Sequence, residues 1–139
     1  MTTITHPVAR FAAVRHRRAT TVILVALFWV AGAVLAATAR TELDARAPVA
    51  GAVLALAGIA AAAWAYTRLC AWSAGFPHAL DAGIAWLLLA IITEVVVTRH
   101  LGHGWYALLG TPERPLLRNV FLFVWIFAPA AFARRQENV

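Results

Sequence analysis

The sequence contains no lysine, a single cysteine and only six acidic residues in 139. Because Cys70 has no second cysteine to pair with, an intrachain disulfide and a cysteine-based metal cluster are excluded. The HExxH, CxxC and GxSxG motifs and the glycine-rich phosphate-binding motifs are also missing. The sequence therefore favours a non-catalytic protein over an enzyme of one of these classes.

Apolar residues make up most of the chain, at 63% of the composition, and the mean hydropathy is +0.76. Both values lie well outside the range of soluble domains. The twelve basic residues, all arginine, flank apolar runs instead of clustering on one soluble surface. This pattern predicts a membrane protein whose partners include lipids, and it argues against nucleic-acid binding.

Four apolar runs of about 20 residues are each long enough to cross the roughly 30 Å of a bilayer core as a helix. They must be helical, because a lipid-embedded segment has to satisfy its own backbone hydrogen bonds. Pro48, Pro77 and Pro115 each begin a run, where a missing N–H costs little. The predicted fold is an all-α polytopic membrane protein, a four-transmembrane-helix bundle covering 19–133, with spans at 19–39, 48–67, 77–98 and 115–133.

The two flanking segments, 1–18 and 134–139, would lie on the same side of the membrane as basic tails. Arginines divide seven to five in favour of that side, which predicts cytoplasmic termini in a bacterial-type plasma membrane. Residues 1–18 could instead lie along the membrane surface. A cleavable signal peptide is the alternative for the first run, but its apolar core exceeds the usual length of about 7 to 15 residues.

Small residues recur at spacings of four, three and four along the second run, at Gly51, Ala55, Gly58 and Ala62. These positions share one helical face, where they would allow another backbone to approach closely. The second helix is therefore expected in the middle of the bundle or at a subunit contact.

The fourth run, "LLRNVFLFVWIFAPAAF", is bulky on every side. Such a helix suits contact with lipid or with a partner. The chain is accordingly expected to form a homo-oligomer or to join other membrane subunits.

Glu94 is the acidic residue placed most deeply in a predicted span, roughly 7 Å inside its end by the helical rise. A charged side chain in a span is costly, so it must be paired, protonated or open to water. Arg118 would lie at a similar depth in the fourth helix, next to Asn119, and predicts an intramembrane polar pair or network. That network would be either a structural contact or a proton or cation relay.

The connection after Glu94 holds the chain's other candidate chemistry. His100 and His103 are three residues apart, and Glu113 follows ten residues later. Two imidazoles and a carboxylate are suitable ligands for a divalent metal or components of an outer-face catalytic site. Gly102 and Gly104 make a regular helix doubtful there, so the spacing alone does not define a site.

Three functions remain from the sequence. The first and favoured one is a non-catalytic subunit, assembly factor or scaffold of a larger membrane complex. The second is a small oligomeric transporter or channel with Glu94 as the coupling group, in which a dimer would be needed to form a cavity. The third is an outer-face membrane enzyme or metal site built from the two histidines and Glu113.

Overall fold

A computed structural model describes the backbone of residues 7–71 and 75–133, and the side chains from residue 17 within these ranges. It contains four helices, α1 (Pro7–Leu43), α2 (Pro48–Leu69), α3 (Phe76–Leu101) and α4 (Pro115–Phe132). All four are long and apolar enough to cross a membrane. The prediction of an all-α, four-helix membrane protein is confirmed, whereas the cytoplasmic placement of the termini stays a prediction.

The first helix extends further than the predicted span, since its backbone is already helical at Pro7. No second proline occurs until Pro48, so nothing in the sequence breaks the helix between the basic segment and the apolar run. Residues 7–18 of the predicted tail are therefore continuous with α1. The rest of that tail, residues 1–6, and the predicted tail 134–139 lie outside the described residues.

The helices pair in chain order. α1 packs along α2 and α3 packs along α4, while α2 and α4 join the two pairs and α1 touches α3 only slightly. We call the end where α1 and α3 finish and α2 and α4 begin the loop end of the bundle. The connection 102–114 between α3 and α4 lies at this end.

The predicted small-residue stripe of α2 faces α1. A Cβ added to Gly51 would lie 3.2 Å from the Cβ of Leu43, and one added to Gly58 would lie 2.8 Å from the Cβ of Leu35. Ala62 lies against Gly32, and Ala55 is fully buried. The stripe thus brings α1 close to α2 within one chain.

A closer approach joins α3 to α4 at Gly83. A Cβ at this position would overlap the carbonyl oxygen and carbon of Ile126. Only glycine allows the two backbones to meet at this distance, because a carbonyl group in a helix cannot move aside.

Aromatic rings fill the core between the helix pairs. Trp86 of α3 lies between Tyr66 of α2 and Trp125 of α4, with ring centroids 5.9 and 6.2 Å away. Trp29 of α1 meets Trp125 at 6.3 Å. These rings link all four helices, in the edge-on and tilted arrangements that aromatic pairs favour.

The bulky residues of α4 separate onto two faces. Phe121 and Trp125 are completely buried in the core, whereas Phe123 and Phe127 are exposed. The residues of each pair are four apart, as expected for positions on one side of a helix. The expectation of a helix suited to lipid or partner contact therefore applies to one face only.

Candidate functional site

A short turn of the α3–α4 connection enters the loop end of the bundle. The N–H of Gly110 donates to the carbonyl oxygen of Tyr106 at 3.1 Å, which closes one helical turn. Gly110 has φ of 84°, a backbone conformation that glycine adopts without strain. Ala107, Leu108 and Leu109 between them are all buried. We call residues 106–110 the loop-end turn.

Glu94 of α3 binds the backbone of this turn. Its Oε2 accepts a hydrogen bond from the N–H of Leu109 at 2.9 Å. The first N–H groups of a helical turn have no partner within the turn, and a negative charge is favourable beside them. The carboxylate, only 6% exposed, therefore caps the loop-end turn from a neighbouring helix.

Trp125 of α4 holds the same turn from the other side. Its indole Nε1 donates to the carbonyl oxygen of Leu108 at 2.9 Å, in a contact that is fully buried. An acceptor from α3 and a donor from α4 thus satisfy the N–H and the carbonyl oxygen of one peptide group, the one that joins Leu108 to Leu109. The two contacts join the turn to α3 and α4, and they pair both polar atoms of a buried peptide group, which would be costly to leave unpaired.

Thr98 connects the end of α3 to the segment before the turn. Its Oγ1 accepts from the N–H of Trp105 at 3.1 Å and lies 3.3 Å from the carbonyl oxygen of the same residue. Gly102, with φ of 71°, terminates α3 in the left-handed conformation. These features reverse the chain so that the loop-end turn reaches back to Glu94.

Glu94 and Arg118 do not form the predicted ion pair. The one salt bridge within 4.0 Å among the described residues joins Arg40 to Asp44. Arg118 does lie near the level of Glu94 in the bundle, since Gly110 packs against the backbone of Arg118 while the neighbouring Leu109 binds Glu94. The peptide backbone of the turn occupies the place that the prediction gave to the guanidinium.

Arg118 contributes through charge at longer range. It is half-buried, and both it and Arg40 interact favourably with the Glu94 carboxylate without contacting it. Asn119 is exposed, and the hydrogen bond of Glu94 goes to the backbone of Leu109 instead. The predicted group of three is therefore reduced to one residue that binds the turn and one that lies near it.

Arg40 is a member of this site that the sequence did not reveal. It lies in the last turn of α1, is only 5% exposed, and places its guanidinium carbon 5.5 Å from the centre of the Phe121 ring. Its Nε is 3.0 Å from Oδ2 of Asp44. In the sequence Arg40 resembles any arginine at the end of a span. The burial of its side chain depends on the contact with Phe121 of α4, which only the folded structure shows.

The predicted metal ligands are not brought together. His100, His103 and Glu113 are all exposed, and the described residues include no group of three or more histidine, cysteine, aspartate or glutamate side chains able to hold a metal ion. His103 Nδ1 lies 3.4 Å from the carbonyl oxygen of Gly104. Gly102 ends α3 between the two histidines, which removes them from a common helical face.

Comparison of the chain with protein-family models, with curated proteins and with solved structures found no match. The interpretation of the site therefore depends on its geometry. In that geometry a buried carboxylate and a buried indole bind the N–H and the carbonyl oxygen of the peptide group between Leu108 and Leu109, which fixes the turn to α3 and α4.

Replacing Trp125 by phenylalanine should test the second of these contacts. The variant keeps most of the ring but removes the donor to Leu108, and we expect the free energy of unfolding to fall by about 1 kcal/mol or somewhat more. Thermal unfolding in detergent micelles, followed by circular dichroism, would measure the loss. Trp64→Phe, on the exposed face of α2, is the matched control and should change little.

Proposed function

We propose that this chain is a non-catalytic subunit, assembly factor or scaffold of a larger membrane complex. We place it as a multi-pass protein in a bacterial-type plasma membrane, with cytoplasmic termini. The main support for the proposal is the structural role of Glu94, whose carboxylate accepts a hydrogen bond from the backbone of the loop-end turn. A buried acid engaged in this way fixes the relation between α3 and the turn. It is not poised to exchange a proton or a cation.

An outward aromatic pair on α4 supports a role in assembly. Phe123 and Phe127 stack with centroids 5.7 Å apart, and they are 63% and 44% exposed. Inside a bilayer, helices associate through van der Waals packing, because lipid chains are as apolar as the side chains. A preformed aromatic pair offers a partner helix a large contact surface with little rotamer entropy to lose.

Purification into nanodiscs from the membrane in which the chain is naturally expressed, followed by mass spectrometry, tests this role. We expect a partner subunit or a second copy to co-purify. The double variant Phe123→Ala/Phe127→Ala should reduce its recovery by about tenfold, the equivalent of about 1.4 kcal/mol. Leu54→Ala/Leu88→Ala, which truncates two exposed side chains on α2 and α3, is the control.

Two outcomes would contradict the proposal. One is recovery of the chain alone under conditions that preserve other complexes of the same membrane. The other is equal recovery of the partner with both double variants, which would mean that the α4 aromatic pair is not the contact surface.

Transport by an oligomer, with Glu94 as the coupling group, makes a different prediction. The carboxylate would have to release Leu109 during each cycle, and Glu94→Gln would abolish ion flux into liposomes while the fold persisted. For the subunit role, the same variant should leave partner recovery intact because the glutamine side chain keeps an acceptor oxygen.

A further inference from the structure

Two adjoining cavities open at the loop end, with volumes of about 170 and 340 Å³. Both are lined by Arg40, Asp44 and Thr111. The smaller one also contacts Glu113 and Arg114. We call this shared space the loop-end recess. At about 30 Å³ per water molecule in the liquid, its smaller part alone has room for about five waters or a polar group of that size.

Arg40 supplies an incompletely satisfied cation to the recess. The residue is only 5% exposed. Its Nε lies 3.0 Å from Oδ2 of Asp44, but the N–H is not aligned for a hydrogen bond to that oxygen or to any other described residue. Buried guanidinium groups are normally matched by acceptors, and they bind carboxylate or phosphate oxygens best. A buried guanidinium group whose ion pair with Asp44 is poorly aligned for hydrogen bonding, at the wall of a polar cavity, therefore points to a ligand with further acceptor oxygens.

The charges around the smaller cavity balance. Arg40 and Arg114 are cationic, while Asp44 and Glu113 are anionic. Because the four charges sum to zero, neither a simple anion nor a simple cation gains a net attraction from them. A ligand that carries both charges a few bonds apart can satisfy both pairs of side chains.

The position of the recess identifies where such a ligand would come from. It lies where the apolar spans of α1 and α4 meet their connections, and Trp105 and Tyr106 line its larger part. Aromatic residues of this kind mark the level of the lipid head groups. Head groups that combine a phosphate with a primary ammonium are abundant in membranes and have the required charge pattern.

We propose that the loop-end recess binds the phosphoethanolamine head group of a phospholipid. The phosphate interacts with Arg40 and Arg114, and the ammonium donates to Asp44 and Glu113. A quaternary choline head group fits less well because it has no N–H to donate. A glycerol head group fits less well because it has no positive charge for the carboxylates. This binding is independent of any role of the chain in a larger complex.

Native mass spectrometry of the full chain, delipidated in detergent and titrated with lipids of identical acyl chains, tests the proposal. Phosphatidylethanolamine should bind about fivefold or more tightly than phosphatidylcholine and phosphatidylglycerol. Glu113→Gln and Arg114→Gln should each remove most of this preference, and both residues are exposed, so folding should persist. Arg99→Gln is the control, since Arg99 is exposed at the same end but does not line the recess.

Equal binding of the three lipids would overturn the proposal, as would an unchanged preference in Glu113→Gln and Arg114→Gln. Competition with soluble glycerophosphoethanolamine tests whether the head group comes from a phospholipid of the bilayer or from a soluble compound. Weak competition by the soluble compound supports a lipid ligand. Displacement of the lipid by an equal concentration of the soluble compound would overturn the assignment to a bilayer lipid.

Discussion

Glu94→Ala should lower the free energy of unfolding by about 3 kcal/mol. The variant leaves the N–H of Leu109 buried without an acceptor, which by itself costs about 1 to 3 kcal/mol. The missing side chain also leaves a cavity beside the turn, which adds to the loss. Equilibrium unfolding in mixed micelles would measure the change, and faster hydrogen exchange at the Leu108 and Leu109 amides would locate it.

Glu94→Gln separates the hydrogen bond from the charge. The amide oxygen can still accept from Leu109, so we expect a loss of only about 1 kcal/mol, because a neutral acceptor bonds roughly half as strongly as an ionised one. Glu42→Ala, an exposed acid near the end of α1, should stay within about 0.5 kcal/mol of the parent chain. A stability of Glu94→Ala equal to that of Glu42→Ala would refute the capping role of Glu94.

Gly83→Ala should be the second strongly destabilising substitution, with a loss of about 2 to 3 kcal/mol. The added methyl group would overlap the carbonyl of Ile126, so α3 and α4 would have to move apart. The gain in helix propensity from glycine to alanine is only about 1 kcal/mol and does not offset this strain. Thermal unfolding would report the loss, and spin-label distances between α3 and α4 would report the separation.

Gly75→Ala is the matched control for the Gly83 substitution. Gly75 precedes α3, and a Cβ there would meet only the Cδ of Pro77, at 3.6 Å, which is ordinary van der Waals contact. We expect a loss of about 0.5 kcal/mol or less, because the preference for glycine over alanine at an N-cap is partly offset by the lower entropy of the unfolded alanine chain. If both variants unfolded alike, the close approach of α3 to α4 would not be a feature of the protein in a membrane.

The burial of peptide groups explains why the partner of Glu94 could not be predicted. Sequence reasoning pairs side chains, and Arg118 is the obvious cation at the right depth. The partner of Glu94 is instead a backbone N–H of the loop-end turn. The position of this turn depends together on Gly110, on Thr98 and on the end of α3. A backbone N–H exists at every residue except proline, so no residue type in the sequence marks the one that Glu94 binds.

Close packing between helices could be predicted from the sequence only where small residues recur at helical spacing. The stripe from Gly51 to Ala62 shows the spacing of one helical face, and it meets α1 as small-residue packing requires. Gly83 stands alone in α3 and has no such pattern. Its importance depends on the rotation of α3 relative to Ile126, which many side chains of both helices determine together.

The sequence by itself determined the four apolar helices, because span length, hydropathy and the proline starts are local properties of the chain and a bilayer leaves no other structure for such segments. The tertiary structure alone decided that Glu94 caps a loop turn, that Arg40 is buried beside a polar recess, and that the histidines and Glu113 stay apart. These outcomes depend on which backbone groups and cavities meet at the loop end, and residues distant in the chain set that meeting through packing.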